Sequence, residues 1–245
     1  MDLPALGATN LITFVVWQMF DAGMNHAPRD QYTDASVRYL KALQTAEGNW
    51  RGIENRRPPM NSGPFQAAAL SIFALTKFGP PDEKADTENA VARAAAWLAT
   101  AKPITNQDRA FRLLGLAWAD ASQAQRNAAA KALAATQRPD GGWSQLSTMG
   151  SDAYATGEAL YALRIGGSLA ASDPDYRKGV EYLLRTQATD GSWHVKSRSI
   201  WVQPYFDSGF PYEHDQWISA AGTAWASMAL SVTQESPGLT ASRKE

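Results

Sequence analysis

Two aspartates stand where helices are about to begin, in stretches otherwise short of charge. Asp152 opens "DAYATGEALYALRIGG" (152–167), with Glu158 two turns on. Asp215 precedes "QWISAAGTAWASMAL" (216–230) and sits beside Glu213 and His214. A carboxyl held at an apolar mouth resists ionisation, and a raised pKa is what general-acid work requires. Asp152, Asp215 and His214 are therefore the candidate catalytic residues. The ordinary work of aspartate at a helix start is to cap free backbone N–H groups, and for each aspartate alone that reading is preferred.

Aromatic residues gather around these acids. Phe65, Phe73, Trp118, Tyr154, Trp217 and Trp225 lie on apolar segments. Trp201, Tyr205, Phe206, Phe210 and Tyr212 crowd one loop, 194–216, which is too long for a mere connector. Such a set suits the lining or lid of a cavity for a hydrophobic small molecule, and equally a plug of the protein's own side chains. His194 and His214 flank the loop, but two histidines without a third ligand at a recognised spacing make no zinc site. No metal or cofactor is implied. Arg51, Arg56, Arg57, Arg109, Lys196 and Arg198 fall in or beside long loops and would suit an anionic head group, or pair with local carboxylates.

The elements that position these residues are all helical. Apolar spacing predicts amphipathic helices at about 32–45, 87–101, 122–137 and 174–188. Segments apolar nearly all round fall at about 9–20, 64–78, 109–120, 151–166 and 217–232. A helix without a polar face is a buried one. The two kinds alternate strictly, no alternating strand pattern stands out, and the expected fold is all-α. An α/α toroid of inner and outer helices fits best, with a solenoid of stacked pairs as the alternative. Nine helices fall short of twelve in a six-pair ring. The ring is therefore expected to close early, stay open, or be completed by a homodimer or fusion partner.

Composition narrows the class. The chain of 245 residues carries a formal net charge of −1 and no long charge run, against a nucleic-acid binder. It has no cysteine, which removes disulfides, thiolate metal sites and a cysteine nucleophile. "LITFVVW" (11–17) is far short of the roughly 20 apolar residues a membrane span needs. A soluble or membrane-peripheral protein is expected, of undetermined compartment.

One motif recurs. "QTAEGNW" (44–50), "QRPDGGW" (137–143) and "TQATDGSW" (186–193) all contain Gln-x3-Gly-x-Trp, each just after an amphipathic helix. The repeats run over 37–50, 130–143 and 180–193, with a degenerate copy near 97–102 where Lys102 takes the glutamine position. The glycine permits a left-handed turn, the glutamine amide can reach a neighbouring helix end, and the tryptophan can bury on the order of 200 Å². The motif is expected to be a structural clasp between helix pairs, within one domain spanning 1–245.

These segments resemble the QW repeats of the squalene-hopene and oxidosqualene cyclase family and, more loosely, the prenyltransferase-like superfamily. "GVEYLLRTQATDGSWHV" (179–195) and "GFPYEHDQWISAAGTAWASMALS" (209–231) are similar to that family's closing repeat, Gly-Phe-Pro loop and last inner helix. The resemblance covers roughly 35–232 and only the domain that ends those longer proteins. It implies an isoprenoid ligand in an apolar toroid and, for an enzyme, class II terpene-cyclase chemistry of the isomerase or lyase kind. The Asp-x-Asp-Asp acid of class II cyclases is missing, since the corresponding stretch reads Pro64-Phe65-Gln66-Ala67. A non-standard acid, Asp152 or Asp215, would have to replace it. The alternative is a non-catalytic toroid that binds a hydrophobic ligand or a partner.

Overall fold

A computed structural model describes residues 3–51, 55–167, 169–199 and 204–233. The fold is all-α. Among the described residues the helices are α1 (Leu3–Met24), α2 (Gln31–Leu43), α3 (Pro64–Phe78), α4 (Lys84–Thr100), α5 (Asn106–Trp118), α6 (Gln123–Ala134), α7 (Ala153–Ile165), α8 (Pro174–Thr186) and α9 (Gln216–Ser231). No helix among them is long and apolar enough to cross a membrane. Their starts follow from short polar side chains that accept from open backbone N–H groups. Asp30 with Thr33, Thr105 with Asp108 and Ser122 with Gln125 form reciprocal capping boxes. Asp173 caps α8, with Pro174 in its first turn. Thr33 lies inside the first turn of α2. The apolar run at 11–17 marks only the middle of α1.

Alternation in the sequence becomes two layers in space. α1, α3, α5, α7 and α9 pack one against the next, while α2, α4, α6 and α8 each lie over the inner helices beside them. α7 is buried along most of its length, whereas α6 buries only Ala129 and Leu133. Inner helices approach closely because their residues are small. A Cβ on Gly157 of α7 would lie 2.5 Å from the backbone of Trp225 on α9.

The recurrent motif folds the same way three times. Trp50, Trp143 and Trp193 are 0, 0 and 1% exposed. Each indole N–H donates to the carbonyl ten residues earlier in its own outer helix: Leu40 at 2.7 Å, Leu133 at 3.1 Å, Leu183 at 2.8 Å. The tryptophan thus ties the turn to its own helix. Bridging falls to the glutamine, whose amide has two hydrogens to donate. Nε2 of Gln44 reaches Gly48 O at 2.9 Å and Ala90 O of α4 at 2.8 Å. Nε2 of Gln137 reaches Gly141 O at 2.9 Å and Asp175 O of α8 at 2.7 Å. Nε2 of Gln187 reaches Gly191 O at 2.9 Å and no second carbonyl among the described residues. At the degenerate copy the clasp is missing, and α4 runs into α5 through a short link.

The other outer-to-inner connections are long and gather over the N-termini of the inner helices. One of them departs from the all-helical expectation. Asn55–Arg57 (β1) and Met60–Ser62 (β2) form an antiparallel hairpin around Pro58 and Pro59. It is too short to show a strand period. The hairpin is held from both sides: Asn61 N–H donates to Gln107 Oε1 at 3.0 Å, and Arg198 N–H to Pro58 O at 2.8 Å. The loops after α2 and α8 are thereby joined across the mouth.

The clasp glycines offer a direct test. Gly48, Gly141 and Gly191 have φ of +96°, +88° and +87°. A Cβ on Gly141 would lie 2.6 Å from Lys178 O, while one on Gly191 would meet only Gln187 Nε2 at 4.0 Å. Gly191→Ala is expected to cost roughly 1–2 kcal/mol, the left-handed strain alone. Gly141→Ala should cost about 1–3 kcal/mol more for the overlap. Urea unfolding midpoints of the two variants compare them directly, and equal losses would contradict the packing described.

Candidate functional site

An apolar cavity of about 330 Å³ opens where the first and last inner helices face each other. Thr13 and Trp17 come from α1; Ala221, Ala224, Trp225 and Met228 come from α9. Met60 and Ser62 of the hairpin, Gln66 of α3 and Tyr154 of α7 complete the lining. Trp17 and Trp225 meet edge to face at 6.4 Å. Aromatic rings fill the space beyond: Trp17 and Trp225 both pack on Phe111, and Phe20, Phe73 and Trp118 stack within 5.8 Å of one another. The interior is thus plugged with its own side chains except at the seam.

Behind Tyr154 lies a buried polar network joining the starts of α5 and α7. Gln145 Nε2 donates to Glu158 Oε2 at 2.7 Å, and Gln145 Oε1 accepts from the backbone N–H of Gln107 at 2.9 Å. The Tyr154 hydroxyl donates to Gln107 Oε1 at 3.3 Å. Asn106 Nδ2 donates to Ala155 O at 3.1 Å. Glu158 is 1% exposed and has no cationic partner in this network. Burial pushes its pKa well above the usual carboxylate range, against the interactions of Gln145 and Tyr154. The negative charges of Asp152 and Asp108 add to the rise. Burial thus favours the protonated form of Glu158 over the carboxylate. Its Oε1, with Gln107 Nε2 and Asn61 Nδ2, finds no hydrogen-bond partner at ordinary distance. Tyr154 is pushed up as well, by burial first and then by Glu158, while the Trp225 indole N–H opposes the rise.

The sequence candidates scatter around this centre. Tyr154 and Trp225 line the cavity. Phe73 and Trp118 belong to the plug, and Phe65 packs on Trp97 of α4 at 4.9 Å, away from the seam. Trp217 is half-buried beside the core. In the aromatic loop Tyr205 and Phe206 are 49% and 76% exposed, Phe210 is half-buried, and Trp201 lies outside the described residues. None of the described loop aromatics lines the seam cavity.

Asp152 caps α7, accepting from Ala155 N–H at 2.8 Å. It lines a separate polar cleft of about 250 Å³ with Ser151, Tyr182, His194, Lys196 and Arg198. Asp215 makes no side-chain cap to α9. It accepts from Ser197 N–H at 2.8 Å and meets His194 Nε2 at 2.8 Å. His214 is exposed and packs on Tyr205, while His194 stacks on Tyr212. No group of three or more His, Asp or Glu among the described residues is placed to hold a metal. Arg109 donates to Ile104 O and Thr105 O, and the Arg56 side chain lies outside those described. Sequence reasoning passed over Trp17, Met60, Gln66 and the Gln107–Gln145 bridge. Trp17 carried a signal, a tryptophan inside an apolar helix; Gln107 carried none, because its partners lie 38 or more residues away.

The two raised carboxyls make stability depend on pH. Asp152, half-buried, is pushed from 3.8 to about 7, chiefly by burial, against the Ala155 and Tyr154 N–H groups and Arg198. Between pH 4 and 7 the folded state then binds more protons than the unfolded chain, so stability falls as pH rises through this window. Asp152→Asn keeps a capping side chain and is expected to flatten part of that decline. Glu158→Gln should flatten more of it. Urea titrations from pH 4 to pH 8 read the slope, and an unchanged slope in both variants contradicts the assignment.

No family model matches the chain. It is 26% identical over 229 residues to a probable squalene–hopene cyclase of Sinorhizobium fredii (strain NBRC 101917 / NGR234). The matched region takes in 91% of this chain and 30% of that protein, so the chain spans about a third of its relative's length. The likeness supports a terpenoid-cyclase-like relationship.

Proposed function

We propose that the chain is a terpenoid-cyclase-like protein that takes an isoprenoid chain into the seam cavity and protonates it. The single observation that carries this reading is a fully buried Glu158, its pKa pushed up by burial, beside Tyr154, a wall of the aromatic cavity. The sequence resemblance, the distant cyclase relative and the two-layered helix order support reading the molecule as an arc of an α/α toroid. At about 330 Å³ the cavity is near the lower end of the range for ligand sites, roughly 300–1,000 Å³. A short prenyl chain, or one end of a longer one, fits that space.

Glu158 supplies the acidity that Pro64-Phe65-Gln66-Ala67 lacks. Its proton passes to the Tyr154 oxygen as the Tyr154 proton adds to an alkene carbon of the ligand. The carboxylate left behind is held by the Gln145 amide. Positive charge develops on the more substituted carbon, facing Trp17 and Trp225. Cation–π attraction to a desolvated ring contributes about 2 kcal/mol. Loss of a proton from the rearranged cation returns the proton to Glu158 through Tyr154, so the net reaction is an isomerisation. A second reading, a non-catalytic binding module, draws support from the aromatic plug, which leaves little room for a long chain to fold.

Incubation with farnesol and with squalene, followed by mass spectrometry for isomers of unchanged mass, tests the proposal. Glu158→Gln is expected to lower turnover by about 10²–10⁴-fold, as loss of a general acid does, while ligand quenching of tryptophan fluorescence persists. Product formation that survives Glu158→Gln refutes the acid. Tight binding without product from the unaltered protein establishes the second reading instead.

A further inference from the structure

The polar cleft of about 250 Å³ between the loop after α8 and the start of α7 is separate from the seam cavity. One of its walls is "HVKSR" (194–198), an extended segment whose alternate side chains face opposite ways. Val195 turns inward and is buried, while His194, Lys196 and Arg198 all line the cleft. The backbone of this basic ladder is fixed from outside. Val195 N–H donates to Ser219 Oγ of α9 at 2.9 Å, and that hydroxyl donates back to Val195 O at 3.2 Å. Ser197 N–H donates to Asp215 Oδ1 and Arg198 N–H to Pro58 O, both at 2.8 Å. None of these bonds uses the cationic side chains.

Those cations are in excess. His194 is matched by Asp215 at 2.8 Å. Lys196 Nζ and the Arg198 guanidinium take part in no hydrogen bond or ion pair among the described residues. The opposite wall offers one acid, Asp152, whose Oδ1 is spent on Ala155 N–H. Arg198 acts on Asp152 only as a charge, the least of the influences on its ionisation. Ser151 already donates to Asp140 at 2.9 Å. Two cations facing at most one carboxylate leave the cleft positive.

We propose that this cleft binds a small oxyanion, a carboxylate or a tetrahedral phosphate-like group, between Lys196 and Arg198. The Arg198 fork suits paired oxygens of either anion, and Lys196 adds a point charge. With the ladder's backbone fixed beforehand, binding has to order only the two side chains. The first turn of α7 carries none of this, since Asp152 occupies its amide. Tyr154 lines the seam and Asp152 the cleft, so the site stands independently of any isoprenoid in the seam.

Sulfate and acetate are the probes, each titrated into the full chain at pH 8 in a fixed chloride background. The amide resonances of Val195, Ser197 and Arg198 and the Trp193 indole N–H should shift and saturate. Tighter sulfate identifies the tetrahedral class, tighter acetate the planar one. Lys196→Ala and Arg198→Ala, at exposed positions, should each weaken the tighter probe about tenfold. Arg109→Ala, at the start of α5, should leave it unchanged. Asp152 faces Lys196, Arg198, His194 and Tyr182 across the cleft, with Asp140 behind Ser151. Tyr182, pushed up to about 12, stays neutral at pH 8, whereas Asp152, raised to about 7, is mainly a carboxylate that repels an anion. Asp152→Asn should therefore tighten binding severalfold, which loss of a merely structural group would not do. The proposal is overturned by no saturation up to about 50 mM of either probe. Binding indifferent to both Lys196→Ala and Arg198→Ala, or not tightened by Asp152→Asn, overturns it equally.

Discussion

A primary amide has two hydrogens on one nitrogen, and in this protein the destination of the second one decides how repeats join. The first always closes the glutamine's own turn, on Gly48, Gly141 or Gly191. Only the second leaves the repeat. For it to reach a neighbouring outer helix, that helix must come close enough to touch the turn. Such an approach is sterically open only where the turn residue has no side chain. Glutamine, glycine and tryptophan are thus one device. Tryptophan fixes the turn to its own helix, glycine clears the approach, and glutamine makes the bond.

Fixing the outer layer in this way constrains the inner one. Outer helices at a set separation leave the inner helices to fill what lies between, and small residues let their backbones close up. The remaining axial space is taken by rings rather than aliphatic chains. Edge-to-face pairs such as Trp17 with Phe111 and Tyr161 with Trp225 gain about 0.5–1.5 kcal/mol beyond their burial. Filling stops at the seam, where α1 and α9 face each other across the cavity.

Much of the architecture was legible because it is written in local periods. Helix kind, helix order and the three turns follow from spacings within about fifteen residues, and the long mouth loops follow from what remains. The hairpin at 55–62 was not legible, because its stability comes from Gln107 and Arg198 rather than from its own strands. Glu158 was noted only as a carboxyl two turns beyond Asp152, while Asp152 and Asp215 drew attention by standing at helix starts, where solvent and capping also favour them. What distinguishes Glu158 is complete burial with a glutamine in place of a cation. Neither is visible without the fold, since Gln145 approaches from the loop before α7.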